Sequence, residues 1–233
     1  MAHAGWDSLT LDMQHGVIDY QSAVAMLTAI STTQTMPVVR VLWLDPGIIM
    51  KMLDAGAYAI ICPMVSTRAD AEKLVTAMRY PPQGSRSFGP IRASLYAGAD
   101  YAKHANESVV GFAMIETRQA LDNLDEILSV EGLDAVYIGP ADLSLALGCT
   151  PRFDQEEQPV VEAIDLILAK AREHGVVPCI HNGTPEYARK MVDKGFRFVT
   201  VASDARLIAA GAQQVVARMR EGAAQPSTGR ASY

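Results

Sequence analysis

The feature that most constrains this chain is the alternation of short, β-rich apolar runs with longer segments of helical period. Apolar runs at 6–12, 36–42, 57–63, 109–116, 134–138, 176–181 and 197–201 are each followed by a stretch whose apolar residues recur every three to four positions. Those stretches are 20–30, 45–55, 67–78, 119–130, 156–174, 185–194 and 205–220. Strands without polar alternation, each returned by a helix, predict a parallel sheet buried under helices. The punctuation agrees. Gly56, Gly175 and Gly195 stand just past helical segments, where the chain must turn left-handed. Pro46 and Pro185 stand just inside helix starts, where no backbone N–H is needed.

Seven such units predict an α/β fold of the TIM (β/α)8 type, one strand short of closure. The opening Met1-Ala2-His3-Ala4-Gly5 carries the same punctuation as Asp54-Ala55-Gly56 ahead of the third run. The expectation is therefore a chain that begins near the end of a first helix, with the first strand and most of that helix missing. Residues 1–220 are expected to form a single barrel domain, and 221–233, small and polar, a disordered tail. The connection at 80–101, rich in Pro, Gly and Ser and carrying Arg86 and Arg92, is predicted to be a lid or an interface arm.

Composition narrows the partners. A net charge of −6 and a pI near 5.3 argue against nucleic acid and anionic membranes. Three cysteines (Cys62, Cys149 and Cys179) are odd in number and lack metal-ligand spacing, which predicts reduced thiols and a cytoplasmic protein. No apolar window is long enough to span a bilayer, and the N-terminus lacks a signal-peptide pattern.

Chemistry concentrates at 109–148. One apolar run ends in Glu116; the next ends in Gly139-Pro140-Ala141-Asp142. Parallel sheets bind ligands beyond the carboxyl ends of their strands. Two carboxylates on successive strand ends suit a divalent ion, Mg²⁺ or Mn²⁺ first, with Co²⁺ or Zn²⁺ also admissible. Each acid has a plainer reading, as an N-cap or first-turn acid of the helix that follows. The backbone N–H groups of Ala141 and Asp142 would open that helix and could seat a substrate carboxylate.

Three more residues point to the same rim. Asp12 and His15 share the turn after the first run, where the carboxylate could hold the imidazole's tautomer; the plain alternative is a turn-capping His. Arg40 interrupts the second apolar run, so something anionic must meet it: a substrate oxygen, or a neighbouring strand's acid in a structural ion pair. His181, and Ser203 with Asp204, reach the rim without a partner by spacing and are read as structural, Ser203-Asp204 as a helix N-cap. None of the six lysines falls on a predicted strand, which closes the Schiff-base route. There is no dinucleotide fingerprint and no phosphate loop.

Leu11-Asp12-Met13-Gln14-His15-Gly16, Pro37-Val38-Val39-Arg40, Pro63-Met64-Val65, the segment 79–86, Met114-Ile115-Glu116-Thr117-Arg118 and Ile138-Gly139-Pro140-Ala141-Asp142-Leu143-Ser144 closely resemble the HpcH/HpaI aldolase family. The resemblance implies a (β/α)8 barrel that binds a divalent ion and makes or breaks a C–C bond in 4-hydroxy-2-oxo acids through a pyruvate enolate. It places metal ligands at Glu116 and Asp142, the catalytic His at His15, its paired Asp at Asp12 and the pyruvate-gripping Arg at Arg40. It also implies a homo-oligomer, a hexamer built as a trimer of dimers. Two positions depart from the family pattern: Gln14 stands where many members have Glu, and Met114 where many have Gln. A malyl- or citramalyl-CoA-type lyase, a keto-acid-binding barrel without turnover and a Mg²⁺-dependent phosphodiesterase are the alternatives.

Overall fold

In a computed structural model the described residues are 1–221, and seven strands form one parallel sheet in sequence order. The strands are β1 (Ser8–Asp12), β2 (Met36–Arg40), β3 (Ala59–Cys62), β4 (Val110–Ile115), β5 (Ala135–Ile138), β6 (Val177–Asn182) and β7 (Phe198–Val201). Between them lie α1 (Tyr20–Ile30), α2 (Pro46–Asp54), α3 (Arg68–Met78), α4 (Ala93–Ala97), α5 (Tyr101–Ser108), α6 (Arg118–Asp122), α7 (Leu124–Leu128), α8 (Pro140–Ala146), α9 (Gln158–Glu173) and α10 (Pro185–Lys194). A final helix, α11 (Asp204–Arg220), belongs to a second unit that starts at Ala202.

Alternate strand residues divide between two apolar layers. Val39, Ile60, Cys62, Ala113, Ile115, Val136, Ile138 and Ile180 pack with the helices. Val38, Ala59, Ile61, Phe112, Met114, Ala135, Tyr137 and Cys179 form a separate layer on the other face. That second layer proves the sheet is curled. The rings of Phe112 on β4 and Phe198 on β7 are 5.1 Å apart between centroids. Three strand spacings in a flat sheet would hold them roughly 14 Å apart. The inner layer is thus the filling of a barrel, and the sheet stays open between β1 and β7, which do not pair among the described residues.

Helix boundaries follow their caps. Asp19, Asp45, Thr67, Thr117, Thr184 and Ser203 each accept a backbone N–H at a helix start. Gly56, Gly175 and Gly195 take positive φ as expected, and Gly5 closes a short 3-10 turn at Ala2–Ala4 with φ 88°.

One expectation changes, and two further segments show detail that the sequence did not carry. The helix predicted over 119–130 is two short helices broken at Asn123, whose side-chain amide donates to the Ser66 carbonyl at 2.9 Å. The connection at 80–101 contains α4 and runs on into α5. The Arg86 guanidinium is buried, donates to Asp54 (2.8 Å) and the Tyr101 hydroxyl (3.1 Å), and lies over the Tyr80 ring. Finally, α11 buries none of its residues, and it exposes Leu207, Ile208, Val215, Val216 and Met219. Of the expected tail, only Glu221 lies within the described residues. No helix among them is long and apolar enough to cross a membrane.

Candidate active site at the carboxyl rim of the sheet

On five of the seven strands the inward-facing series ends in a functional group as it leaves the barrel. Thr10 is followed by Asp12, Val38 by Arg40, Met114 by Glu116, Cys179 by His181 and Phe198 by Thr200, two residues on each time. The two-residue period of a strand alone places these side chains on the inner face.

At β1 and β2 the charges are paired. Register sets Asp12 opposite Arg40. The guanidinium grips the carboxylate with two bonds, Nε to Oδ1 at 2.8 Å and Nη2 to Oδ2 at 2.5 Å. The backbone N–H groups of Gln14 and His15 also donate to Asp12 Oδ1, at 3.0 and 3.2 Å. Burial alone would raise the Asp12 carboxyl, but the bond and charge of Arg40, with those two N–H groups, outweigh it and hold the group below the usual carboxylate range. The plain reading of Arg40, an ion pair with a neighbouring strand's acid, is what the molecule builds. Asp12 meets residue 15 through the backbone; no hydrogen bond joins its carboxylate to the His15 ring among the described residues, and the exposed ring is not held by that acid.

At β4 and β5 the charges are not paired. Glu116 is 3% exposed, and among the described residues its carboxylate has one protein donor, the Met64 backbone N–H, which reaches Oε1 at 2.8 Å. Burial pushes its carboxyl up to about 7; Met64 opposes this, the negative Asp142 adds to it, and Arg40 pulls weakly the other way. Asp142 itself is exposed. Neither acid caps a helix: Thr117 accepts the Ala120 N–H at the start of α6, and Gly139 is the N-cap of α8, with Asp142 in the first turn. The N–H groups of Ala141 and Asp142 stand in that first turn, where no intrahelical acceptor exists for them.

Two residues essential to this corner carry no charge. Met64 has φ 58°, a left-handed conformation that a side chain other than glycine's rarely adopts, and its N–H is the one that meets Glu116. A Cβ on Gly139 would stand 2.4 Å from Glu116 Oε2, so only glycine leaves the carboxylate room. Composition and periodicity carried no signal for either role, although both lie in quoted motifs. His181 reads as structural from sequence, and its link to Thr200 Oγ1, which also meets the Tyr137 hydroxyl, depends on the β6–β7 register.

The residues present suit a divalent ion. A buried carboxylate raised by desolvation, beside a second like charge, is a site that a cation would relieve. No three His, Cys, Asp or Glu side chains converge on one point among the described residues, so the protein offers two carboxylates and leaves other positions to water and substrate. Close by on β1's turn, the buried Gln14 Oε1 has no donor among the described residues, an acceptor left for a solvent or substrate hydrogen.

The HpcH/HpaI aldolase/citrate lyase family model matches residues 1–210. A hydroxypyruvate/pyruvate aldolase of Rhizorhabdus wittichii is 49% identical over 220 residues, covering 94% of this chain and 88% of that protein. A 4-hydroxy-2-oxo-heptane-1,7-dioate aldolase of Escherichia coli is 38% identical over 221 residues, 94% and 84% of the two chains. Among solved structures, an HpcH/HpaI aldolase/citrate lyase family protein from Burkholderia cenocepacia superposes with a TM-score of 0.87 at 31% identity, covering 94% of this chain and 88% of that one. Divalent-metal dependence is typical of such enzymes. The chain is a carbon–carbon lyase, and it belongs to the HpcH/HpaI aldolase/citrate lyase family.

Proposed function

We propose that this chain is a class II pyruvate aldolase, cleaving or forming 4-hydroxy-2-oxo acids from a pyruvate-type 2-keto acid and an aldehyde. The observation that carries the reading is Glu116: a carboxylate buried at the rim with no cation bonded to it among the described residues, beside Asp142 and within the field of Arg40. The substrate class rests on the relatives, whose names are those of hydroxypyruvate/pyruvate and 4-hydroxy-2-oxo-heptane-1,7-dioate aldolases.

Glu116 and Asp142 would hold the ion, and hard oxygen donors with open positions favour Mg²⁺ or Mn²⁺. When bound, it supplies Lewis-acid stabilisation of negative charge on the keto oxygen. Arg40 contributes the protein's own share. Asp12 occupies its Nε and Nη2, which fixes the guanidinium plane and leaves Nη1 to donate to a substrate oxygen. The N–H groups of Ala141 and Asp142 seat the substrate carboxylate. His15, exposed on the turn beside this pair, moves the proton at the 4-hydroxyl as the C–C bond breaks or forms.

Further proposals concern setting. A homo-oligomer, hexameric as the resemblance implies, is supported by the exposed apolar residues of α11, which a second copy would cover. A cytoplasmic location is supported by three free thiols. The deciding experiment is a lactate-dehydrogenase-coupled screen of 4-hydroxy-2-oxo acids with Mg²⁺ or Mn²⁺, then with EDTA, then with the ion restored. Pyruvate release that stops with EDTA and returns with the ion is expected. Pyruvate binding without release from any of these acids would overturn the reading.

A further inference from the structure

The turn that carries Met64 is tied repeatedly to the segment that carries Glu116. Met64 donates its backbone N–H to Glu116 Oε1 at 2.8 Å. Two residues further on, the hydroxyl of Ser66 bonds that of Thr117, the chain neighbour of Glu116, at 2.8 Å. The Ser66 carbonyl accepts Asn123 Nδ2 at 2.9 Å, and the Ser66 N–H reaches Asp70 Oδ2 at 3.1 Å. Every polar group of Ser66 therefore has a partner. Thr117 and Asn123 both come from the connection between β4 and β5.

Asn123 departs from its ordinary use. It stands at the N-cap of α7, where an Asn side chain normally accepts a helix N–H, and it makes no such bond. Its amide reaches across to Ser66 instead. Splitting one helix into α6 and α7 also adds unsatisfied helix ends, so the benefit of the break lies outside the helix. At the other end of these ties Met64 is strained. Its φ of 58° is left-handed, and its side chain is exposed, so packing of that side chain does not hold it there. Such a conformation persists only where the surroundings over-determine it. Val65 is fully buried and anchors the chain just beyond. A return of Met64 to negative φ would therefore have to turn the peptide that carries its N–H, and turn it away from Glu116.

We propose that Asn123 is a positioning residue for the ion site: by holding the Ser66 carbonyl it keeps the Met64 turn left-handed, and so keeps the Met64 N–H on Glu116. This rests on the reading that Glu116 and Asp142 hold the ion. Asn123 touches neither the carboxylates nor a substrate. It acts through the backbone of a turn 57 positions away in sequence, and what it fixes is the plane of the Glu116 carboxylate. Groups that orient a metal ligand in this way tune affinity without binding the metal themselves.

The test titrates Mn²⁺ into the full-length protein, freed of metal, and counts the free ion by electron paramagnetic resonance. Glu116→Gln provides the reference for loss of the site. Asn123→Asp keeps the shape of the side chain and removes the donor, and it is expected to weaken Mn²⁺ binding about tenfold. Ser66→Ala, which cuts only the tie to Thr117, should weaken it by less. Glycine takes a left-handed φ freely, so in a Met64→Gly background Asn123→Asp should cost less than about twofold. Selective ¹⁵N labelling of the methionines reads the turn with no metal present. The Met64 amide proton should move upfield in Asn123→Asp as its bond to the carboxylate is lost.

Asn123→Asp that binds Mn²⁺ within about twofold of the parent overturns the assignment. So does an equal loss of affinity in the Met64→Gly background, which would make Asn123 a residue of general packing. A Met64 amide that does not move overturns it as well. Should Asn123→Asp fail to fold, Ser66→Ala decides by the same measurements. Mn²⁺ binding that is indifferent to Glu116→Gln overturns the ion reading itself, and this inference with it. Binding that needs Glu116 and ignores both Asn123 and Ser66 overturns this inference alone.

Discussion

The two halves of the rim solve the same problem in opposite ways. At β1 and β2 a carboxylate and a guanidinium meet in a two-point bond, and backbone N–H groups take up what the carboxylate has left. At β4 and β5 two carboxylates approach each other with one backbone donor between them and no cation among the described side chains that bonds to either. The first arrangement is complete in the protein alone and holds Arg40 rigid. The second is incomplete in the protein alone, and its charge asks for an ion. Under the proposed function, a finished electrostatic unit is joined to an unfinished one, so that a pre-oriented cation and an exchangeable one would share a substrate.

The strongest way to break that contrast is to finish the unfinished half. Glu116→Gln removes the charge that the ion must meet. Several kcal/mol of transition-state stabilisation by a bound ion correspond to at least about a thousandfold in kcat/KM, and that loss is expected in the coupled assay. Gly139→Ala should approach it without touching any charge, because its methyl would collide with Glu116 Oε2. Activity of Glu116→Gln within tenfold of the parent, with Mg²⁺ affinity by titration calorimetry unmoved, would remove the ion from this corner. His15→Ala is expected to lower kcat/KM about a hundred- to a thousandfold while Mg²⁺ affinity stays near normal. An equal loss of ion binding would place His15 among the ligands instead.

Smaller effects sharpen the finished half. Arg40→Lys keeps the charge and loses the fork, and Asp12→Asn keeps the shape and loses the charge. Each should cost about a hundredfold in kcat/KM, with most of it in kcat because the guanidinium is needed most as charge develops on the substrate oxygen. A change confined to KM would make Arg40 a general binding cation rather than one tuned to the reaction.

Position at the end of an apolar run explains why Asp12, Arg40 and Glu116 could be found by eye and other parts of the site could not. A charged residue closing an apolar run has to be explained, so Asp12, Arg40 and Glu116 announce themselves. The strand and helix order was legible for a related reason: buried parallel strands and capped helices each leave a one-dimensional pattern. Met64 and Gly139 leave none. Their roles depend on one backbone torsion and on a clearance between two chain segments, and both appear only once β3, β4 and β5 stand side by side. The break at Asn123 was hidden for the same reason, since the Ser66 carbonyl it meets lies 57 positions away in sequence. His181 was visible as a residue, but its partner Thr200 sits on the next strand, and only register joins them.

The smallest effect tests the contrast without any assay of turnover. In metal-free protein the buried Glu116 carboxyl is raised to about 7, well above its ordinary value near 4.5 when the chain is unfolded. Between those two values the folded state binds the extra proton, so folding stability should rise as pH falls from about 7 towards 4.5. The full span of that shift is worth at most roughly 3 kcal/mol. Asp12 runs the other way: held below the usual carboxylate range, it contributes stability that is present above its unfolded value and lost as pH falls through its folded one. The two halves of the rim should therefore pull the acid limb of a Tm-against-pH curve in opposite directions. Glu116→Gln should flatten the curve between pH 4.5 and 7, and Asp12→Asn should change it only below about pH 4. Saturating Mg²⁺ should abolish the Glu116 slope in the parent protein, since an ion that needs the ionised carboxylate replaces the proton. A parent curve with no slope in that window, in the absence of metal, would mean that the Glu116 carboxylate already has its counter-charge, and the difference between the two halves would disappear.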